Sequence, residues 1–110
     1  MLPRRRGSFR GYLKPVGFDW DDEKADANLA KHGVGFDEAM TAFDDDHAAI
    51  RDDPDHSIGE QREIIIGRSH KGRILLVSFT ERGDVIRLIN ARQVTTRERK
   101  LYEEILRKEI

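Results

Sequence analysis

Six arginines cluster in the part of the sequence that is richest in strand-forming residues. They are Arg62, Arg73 and Arg87, within or at the ends of candidate strands, and Arg68, Arg82 and Arg92, which flank them. A guanidinium group donates a planar fork of hydrogen bonds that fits phosphate oxygens, so several on one sheet face would form a phosphate-binding surface. Arginines also occupy the solvated face of an ordinary half-buried sheet. The arginine pattern alone leaves both interpretations open.

Histidine and acidic residues do not indicate a metal site. The four histidines show neither the i, i+4 spacing of a helical metal site nor paired clusters. Acidic runs at 44–46 and 52–55 could hold Mg²⁺ in a metal-dependent nuclease, but acids in turns more often cap helices and shape loops. The chain has no cysteine, which excludes a zinc–thiolate site and a thiol nucleophile. We therefore expect no metal or other cofactor.

The arginines must be positioned by three strands that follow one another at short spacing. These candidate strands are residues 61–67, 73–80 and 85–91. They are rich in Ile, Leu and Val, and Gly72 and Gly83 lie in connections long enough only for antiparallel hairpins. A weaker strand at 47–51 precedes them. The sequence thus predicts an antiparallel meander of about four strands.

Two helices precede this meander and one follows it. After a short strand-like run at 16–20, Asp21 is placed to cap a first helix that ends at Gly33. Asp37 is placed to cap a shorter second helix, and residues 95–98 match a capping box that opens the last helix. The fold class predicted is α+β, over residues 17–110, with the helices packed against one sheet face.

The first helix is expected to have an apolar and a polar side. Ala25 and Leu29 should point toward the core. Lys24, Asn28 and Lys31, spaced i, i+4, i+7, should form a separate polar stripe. The two lysines could hold a substrate backbone or simply belong to a solvated helix face.

In the last candidate strand, it matters for the site whether the side chains of Arg87 and Arg92 point to the same sheet face. Arg87 and Arg92 are an odd number of residues apart, so regular alternation would point them to opposite faces. Both can serve one site only if a β-bulge intervenes or the strand ends before Arg92. We favour the second interpretation, because Gln93 and Val94 already lead into the helix cap.

Composition and charge fit one small domain of 110 residues, with hydrophobic and charged fractions of 37% each. No apolar stretch approaches the roughly 20 residues needed to cross a membrane, so we expect a cytoplasmic protein.

The net charge is −1, but the first fifteen residues carry five basic and no acidic side chains. We interpret residues 1–16 as a basic, disordered tail that could also touch nucleic acid.

Short strings between Phe18 and Glu103 form a collinear set. The first are Phe18-Asp19-Trp20-Asp21, Lys24, Asn28, Leu29 and Lys31-His32-Gly33-Val34-Gly35-Phe36. The next are Asp53-Pro54-Asp55-His56-Ser57, Glu60, Arg62, Ile66-Gly67, Ser69, Gly72-Arg73-Ile74-Leu75, Val77 and Thr80-Glu81-Arg82-Gly83. The last are Arg87, Ile89, Ala91-Arg92, Thr95, Arg97-Glu98-Arg99 and Tyr102-Glu103. The whole set resembles the BrnT family, and its length and order make it far more specific than any single motif.

The resemblance implies a RelE-like ribonuclease toxin of a type II toxin–antitoxin module, which inhibits translation. It also implies a partner antitoxin of the BrnA type, which would neutralise the toxin and bind operator DNA, so that contact with DNA would be indirect. The implied fold, a curved antiparallel sheet carrying helices, agrees with the predicted meander. One departure is Asn90, where the family usually has serine. An amide can hydrogen-bond but cannot shuttle a proton.

For such a ribonuclease, RNA supplies its own nucleophile, the 2′-hydroxyl beside the scissile phosphate. Stabilisation of the developing charge, on the order of 2–4 kcal/mol per contact, would fall to Arg62, Arg73, Arg87 and Arg92. Candidates for proton transfer are His32 and Glu98, with Tyr102 as an alternative that could equally be a core residue. His32 could instead bond the last carbonyls of its helix. Candidates for substrate binding are Lys24, Lys31, Arg82, Asn90 and Tyr102.

Two other classes of function stay open. A binding module without turnover could keep the toxin fold and use its arginines to bind an acidic antitoxin or RNA. If the chemistry depends on a hydroxyl at position 90, this chain would be inactive and Asn90→Ser would gain activity. An Mg²⁺-dependent nuclease would instead lose its activity in EDTA.

Overall fold

The computed structural model describes residues 17–56 and 59–108, and the backbone of Arg4 and Arg5. The strands are β1 (Arg4–Arg5), β2 (Gly17–Asp19), β3 (Ala49–Asp52), β4 (Arg62–Arg68), β5 (Ile74–Arg82) and β6 (Val85–Gln93). The helices are α1 (Asp22–His32), α2 (Phe36–Thr41) and α3 (Thr96–Lys108), with short 3₁₀ turns at Ala42–Asp44 and Pro54–His56. The α+β class and the three helices are as predicted.

The strands form one sheet in the order β1-β3-β4-β5-β6-β2. The predicted antiparallel meander is confirmed for β3 through β6. The sheet is nevertheless mixed, because β2 pairs in parallel with β6, Gly17 opposite Val85 and Phe18 opposite Ile86. The sequence indicated a strand-like run here but no pairing partner. Strand preference depends on tertiary context, so a three-residue segment cannot indicate a neighbour far along the chain.

The prediction that the helices pack against one sheet face is wrong, because α3 lies on the face opposite to α1 and α2. The core under α1 and α2 includes Ile65 and Leu88. On the other face, which we call the α3 face, Tyr102 of α3 packs with Ile64 and Ile66. All three isoleucines of this β4 run are therefore buried. An uninterrupted apolar strand is typical of a sheet that is covered on both sides.

The helix boundaries follow local capping chemistry. The Asp21 side chain accepts the Lys24 N–H at 3.0 Å, and Gly33 ends α1 with φ 70°, as predicted. In α2 the N-cap is Gly35, so the prediction for Asp37 is wrong. Asp37 lies in the first turn, where the helix dipole also favours an acid.

The predicted orientation of α1 is partly wrong. Ala25 packs against the core as expected. Leu29, however, is 53% exposed, and Asn28 is buried with 6% exposure. A buried amide is stable only when its hydrogen bonds are satisfied, and Asn28 has three such bonds, to Val34 and Ala91. Apolar periodicity cannot anticipate a polar side chain that is held in this way.

A register shift between β5 and β6 determines the sheet faces to which the side chains of β6 point. Ser78 is opposite Asn90 but Phe79 is opposite Leu88, so Ile89 is an extra residue in β6. The strand continues to Gln93, and our interpretation that it ends before Arg92 is wrong. The bulge restores the alternation instead. Leu88 belongs to the core, and Arg87 and Arg92 share the α3 face.

Most of the predicted tail, residues 1–16, lies outside the described residues, so its disorder stays a prediction. The exception is the backbone of β1, in which Arg4 is opposite Ile50 and Arg5 is opposite Ala49, in antiparallel pairing with β3. Among the described residues, no helix is both long and apolar enough to cross a membrane.

Candidate active site

A cleft of about 600 Å³ opens on the α3 face, at the edge of α3. Its neutral lining side chains are Ile64, Leu76, Ser78, Ile89 and Asn90. Its charged or titratable lining side chains are Lys24, Arg51, Asp53, His56, Arg62, Arg92 and Glu98. Four cationic side chains, of Lys24, Arg51, Arg62 and Arg92, therefore face two carboxylates. A concave site with an excess of positive charge attracts and holds phosphate groups.

The strand register explains why these residues meet. One row of neighbours across four strands is Arg51, Ile64, Ser78 and Asn90. The next row toward α3 ends at Arg92, and the row on the other side joins Arg62, through Thr80, to Arg87. Residues two apart on a strand share a face, so the three rows present their side chains to the same cleft and its surroundings.

Arg92 is held in place by Glu98. Its two terminal nitrogens donate to the two Glu98 carboxylate oxygens at 2.8 and 2.9 Å. Glu98 also completes the predicted capping box of α3, because it accepts the Thr95 N–H at 2.8 Å and the Thr95 hydroxyl accepts the Glu98 N–H at 3.2 Å. The helix start and the cleft arginine therefore share one carboxylate. A guanidinium has five N–H groups, so this pairing leaves others that can contact a phosphate.

The same hydrogen bonds decide what Glu98 can do chemically. The hydrogen bond from Arg92 lowers the pKa of Glu98 to about 2, against the opposing effect of burial, and the backbone N–H of Thr95 adds to the lowering. The pKa of Arg92 is raised by the same pairing. Glu98 is thus ionised at neutral pH. It is suited to orienting Arg92 and poorly suited to proton transfer.

Asn28 fixes the backbone that carries the cleft residues of β6. Its amide nitrogen donates to the carbonyls of Ala91 and Val34 at 2.8 and 2.9 Å, and its oxygen accepts the Ala91 N–H at 3.1 Å. Ala91 lies between the cleft residues Asn90 and Arg92, two residues after Ile89, the extra residue of the bulge. Asn28 thus ties α1 to the segment whose irregular geometry places both side chains.

His56 and Asp53 form a hydrogen-bonded pair that lines the cleft. The His56 Nδ1 lies 3.0 and 3.1 Å from the two Asp53 carboxylate oxygens. The Asp53 N–H donates to the Arg62 carbonyl at 2.9 Å, which anchors this turn to β4. A carboxylate at Nδ1 orients the ring and leaves Nε2 as the nitrogen that can exchange a proton with a substrate.

Sequence reasoning did not select His56 or Arg51. His56 falls within the family-like string at 53–57, so a signal for it existed, but the metal-spacing test applied to the histidines could not reveal an acid–base function. Arg51 lies in the weakest predicted strand. Only its register opposite Ile64 shows that it belongs to the cleft.

Arg73 is not brought to the cleft. Its guanidinium donates to both oxygens of Glu38, Nε to Oε2 at 3.0 Å, and to the Gly33 carbonyl at 3.1 Å. Glu38 is buried and also accepts the Ser69 hydroxyl at 2.7 Å. The Arg73 hydrogen bonds hold the pKa of Glu38 below its usual range, against the effect of burial. This group ties α2 to the β4–β5 hairpin and serves the fold.

Tyr102, His32 and Lys31 also lie apart from the cleft. Tyr102 is buried in the packed face of α3, and its hydroxyl donates to Asp45 at 2.5 Å. Burial, and then the hydrogen bond to Asp45, raise the pKa of Tyr102 far above its ordinary value, so it does not ionise near neutral pH. His32 and Lys31 are in the last turn of α1 and do not line the cleft.

The predicted site residues thus fall into three groups. The cleft brings together Lys24, Arg62, Asn90, Arg92 and Glu98. Arg82 and Arg87 lie beyond it on the same face, paired with Glu60 and Asp19, each at 3.0 Å. The third group is Arg73, His32, Lys31 and Tyr102, which lie elsewhere. Over the part of the chain that the structure describes, no three His, Asp or Glu side chains are grouped to hold a metal ion.

This fold is also that of a solved toxin. The crystal structure of the Brucella abortus ribonuclease toxin BrnT matches with a TM-score of 0.54 and 23% identity, over 73% of this chain and 97% of that chain. The two share the α+β fold. No curated protein matches the chain.

The family is shown by a sequence model described as ribonuclease toxin, BrnT, of type II toxin–antitoxin system, which matches residues 20–98. The chain therefore belongs to the BrnT family of ribonuclease toxins of type II toxin–antitoxin systems, and the resemblance read from its motifs is confirmed. The matched segment contains every residue that lines the cleft.

Proposed function

We propose that this protein is a metal-independent endoribonuclease that acts in the cytoplasm, cleaves RNA by internal 2′-hydroxyl attack and so inhibits translation. The observation that carries the proposal is the convergence, in one cleft, of four cationic side chains with the His56–Asp53 pair. Membership of a ribonuclease toxin family supports the same class of reaction.

In the proposed reaction, the 2′-oxygen bonds to the adjacent phosphorus and the bond from phosphorus to the 5′-oxygen breaks. The products are a 2′,3′-cyclic phosphate and a 5′-hydroxyl. His56 Nε2 accepts the proton of the 2′-hydroxyl, and the Lys24 ammonium gives a proton to the departing 5′-oxygen. Positioned acid–base groups of this kind contribute roughly 10²–10⁴-fold to a rate.

The cleft arginines stabilise the charge that develops on the phosphate. Arg92, oriented by Glu98, and Arg62, one row away from Arg51, approach the same space from different strands. Preorganised donors of this kind contribute about 2–4 kcal/mol each to lowering the barrier. No step of this scheme uses a metal ion.

His56 replaces His32 as the proposed acid–base group. His56 lines the cleft and contacts a carboxylate, whereas His32 lies at the end of α1. Asn90 cannot exchange a proton, but Ser78 is its direct neighbour in the row and lines the same cleft. Ser78 therefore supplies, from the facing strand, a hydroxyl of the kind that position 90 lacks.

The proposed partner is a BrnA-type antitoxin. Family membership implies an antitoxin, and an acidic segment that covers the cleft would neutralise its excess positive charge and block RNA. Contact of this chain with operator DNA would be indirect, through that antitoxin.

The purified protein can be tested on single-stranded RNA in the presence of EDTA. We expect cleavage that is lost in Arg92→Ala and Arg62→Ala and retained in Arg99→Ala, an exposed control on α3. All variants should be compared at equal folded fraction. Intact RNA with folded wild-type protein would contradict the proposal and favour a binding module that has kept the toxin fold.

A further inference from the structure

Beyond the cleft, the α3 face carries three arginines that lie toward the β5–β6 hairpin. Arg62 and Arg87 flank Thr80 in one row, and Arg82 lies two residues further along β5. We call Arg62, Arg82 and Arg87 the arginine extension. Arg62 also lines the cleft, so the extension and the cleft are continuous.

The extension carries more positive than negative charge. Arg82 is bound by both oxygens of Glu60, at 3.0 and 3.3 Å, and Arg87 by Asp19 at 3.0 Å. The hydrogen bond from Arg82 lowers the pKa of Glu60, and the charges of Arg62 and Arg87 add to this effect. The extension thus has three guanidinium groups and two carboxylates, with Glu60 bound to Arg82 and Asp19 bound to Arg87. Among the described strand residues of this face, Asp19 is the one acid.

Solvent reaches both ion pairs, because Arg87 is half-buried and its partner Asp19 is exposed. The Arg82 and Glu60 side chains are 51% and 44% exposed. Exposed pairs contribute little to stability, because water solvates both partners almost as well. A phosphate, which accepts the same forked hydrogen bonds, can therefore take the place of either carboxylate.

We propose that the arginine extension binds backbone phosphates of RNA on one side of the scissile phosphate, so that a strand of several nucleotides lies along the α3 face from the cleft to the hairpin. This rests on the proposed ribonuclease function. Successive rows are about 6.8 Å apart along the strands, a step similar to that between phosphates of an extended single strand. Each row from Arg92 to Arg82 presents at least one polar or cationic group to that path.

RNA fits this surface better than a protein partner does. Protein interfaces are anchored by large apolar or aromatic side chains at their centre. Among the described residues, the exposed large hydrophobic side chain is Leu29, which lies on α1 and not in the extension. Forked donors without an apolar anchor are typical of surfaces that follow a phosphate backbone.

The test compares RNA lengths in the full chain. Arg82→Gln/Arg87→Gln is measured against wild type and against Arg99→Gln/Arg107→Gln, an equal charge loss on exposed positions of α3. Binding of a fluorescent decanucleotide with a 2′-deoxy backbone avoids cleavage. Cleavage is followed on ribo-dinucleotides and ribo-decanucleotides.

We expect the double variant to bind the decanucleotide at least tenfold more weakly, and its salt slope to fall by roughly 0.7 for each phosphate that the protein no longer neutralises. Its loss of kcat/KM should be about tenfold greater on the decanucleotide than on the dinucleotide, and the control should match wild type. Equal losses at both lengths, or unchanged decanucleotide binding, would overturn the proposal. Unchanged RNA binding with lost antitoxin binding would assign the extension to the partner. If wild type cleaves neither RNA, the proposed function fails, while the binding arm still tests the extension.

Discussion

The side-chain amide of Asn28 bonds both the N–H and the carbonyl of Ala91, a residue 63 positions later in the chain. These two hydrogen bonds join α1 to the part of β6 that follows the bulge. Asn90 and Arg92, on either side of Ala91, both line the cleft. The position of a buried helix residue thus determines where two cleft side chains lie.

We predict that Asn28→Ala destabilises the protein and also lowers its activity. The substitution leaves buried backbone groups of Ala91 without partners, at about 1–3 kcal/mol for each unsatisfied group. Urea unfolding measures the loss. Asn28→Asp keeps the acceptor for the Ala91 N–H but turns a buried carboxylate oxygen toward the Val34 and Ala91 carbonyls, so at neutral pH it should be at least as destabilising as Asn28→Ala. An Asn28→Ala protein as stable as wild type would show that these bonds do not hold β6.

The Arg92–Glu98 pair predicts a specific acid dependence of stability. The pKa of Glu98 is lowered from 4.5 to about 2 in the fold, so its contribution is complete above pH 4.5 and is lost as the pH falls toward 2. Melting temperature measured between pH 5 and about 2 should fall less steeply in Glu98→Gln than in wild type. Identical slopes would contradict the pairing. At neutral pH, Glu98→Gln should also lower cleavage, because Arg92 loses its orientation.

The two histidine assignments can be separated by substitution. His56→Ala should reduce cleavage by roughly 10²–10⁴-fold, the usual contribution of a positioned acid–base group. His32→Ala, at the end of α1 and outside the cleft, should change the rate less than about threefold. Both rates are read from initial cleavage of a labelled RNA. The reverse order would return the acid–base function to His32.

The cleft hydroxyl is expected to come from Ser78. Ser78→Ala should lower cleavage about tenfold, and Asn90→Ser in that background should restore part of the activity, because the two side chains are neighbours in one row. Single-turnover cleavage rates of Ser78→Ala, of Ser78→Ala/Asn90→Ser and of Asn90→Ser measure these changes. If Asn90→Ser alone activates an otherwise inactive wild type, position 90 and not Ser78 is where the hydroxyl is needed.

Much of the fold was predictable because its signals are local. Asp21 and Gly33 bound α1, and Thr95 with Glu98 opens α3, as their capping chemistry indicates. Long-range features were not predictable. The parallel pairing of β2 with β6, and the position of α3 on the second face, depend on contacts between distant segments.

The site was predicted in part for the same reason. Arg62 and Arg92 were identified from their residue type and strand position, and the register brings them to one cleft. Arg73 has the same type and a similar position, but the buried Glu38 binds it on the other face. Residue type therefore indicates what a side chain can do. Only its neighbours show whether it does so at the site.

The chemical nature of the product tests the central claim most directly. Wild-type protein should cleave a single-stranded RNA in EDTA and leave a 2′,3′-cyclic phosphate and a 5′-hydroxyl, read by mass spectrometry of the fragments. A single 2′-deoxynucleotide at the cleaved position should abolish cleavage there, because it removes the nucleophile. Cleavage that persists at the deoxynucleotide, or that requires added Mg²⁺, would contradict metal-free attack by the 2′-hydroxyl.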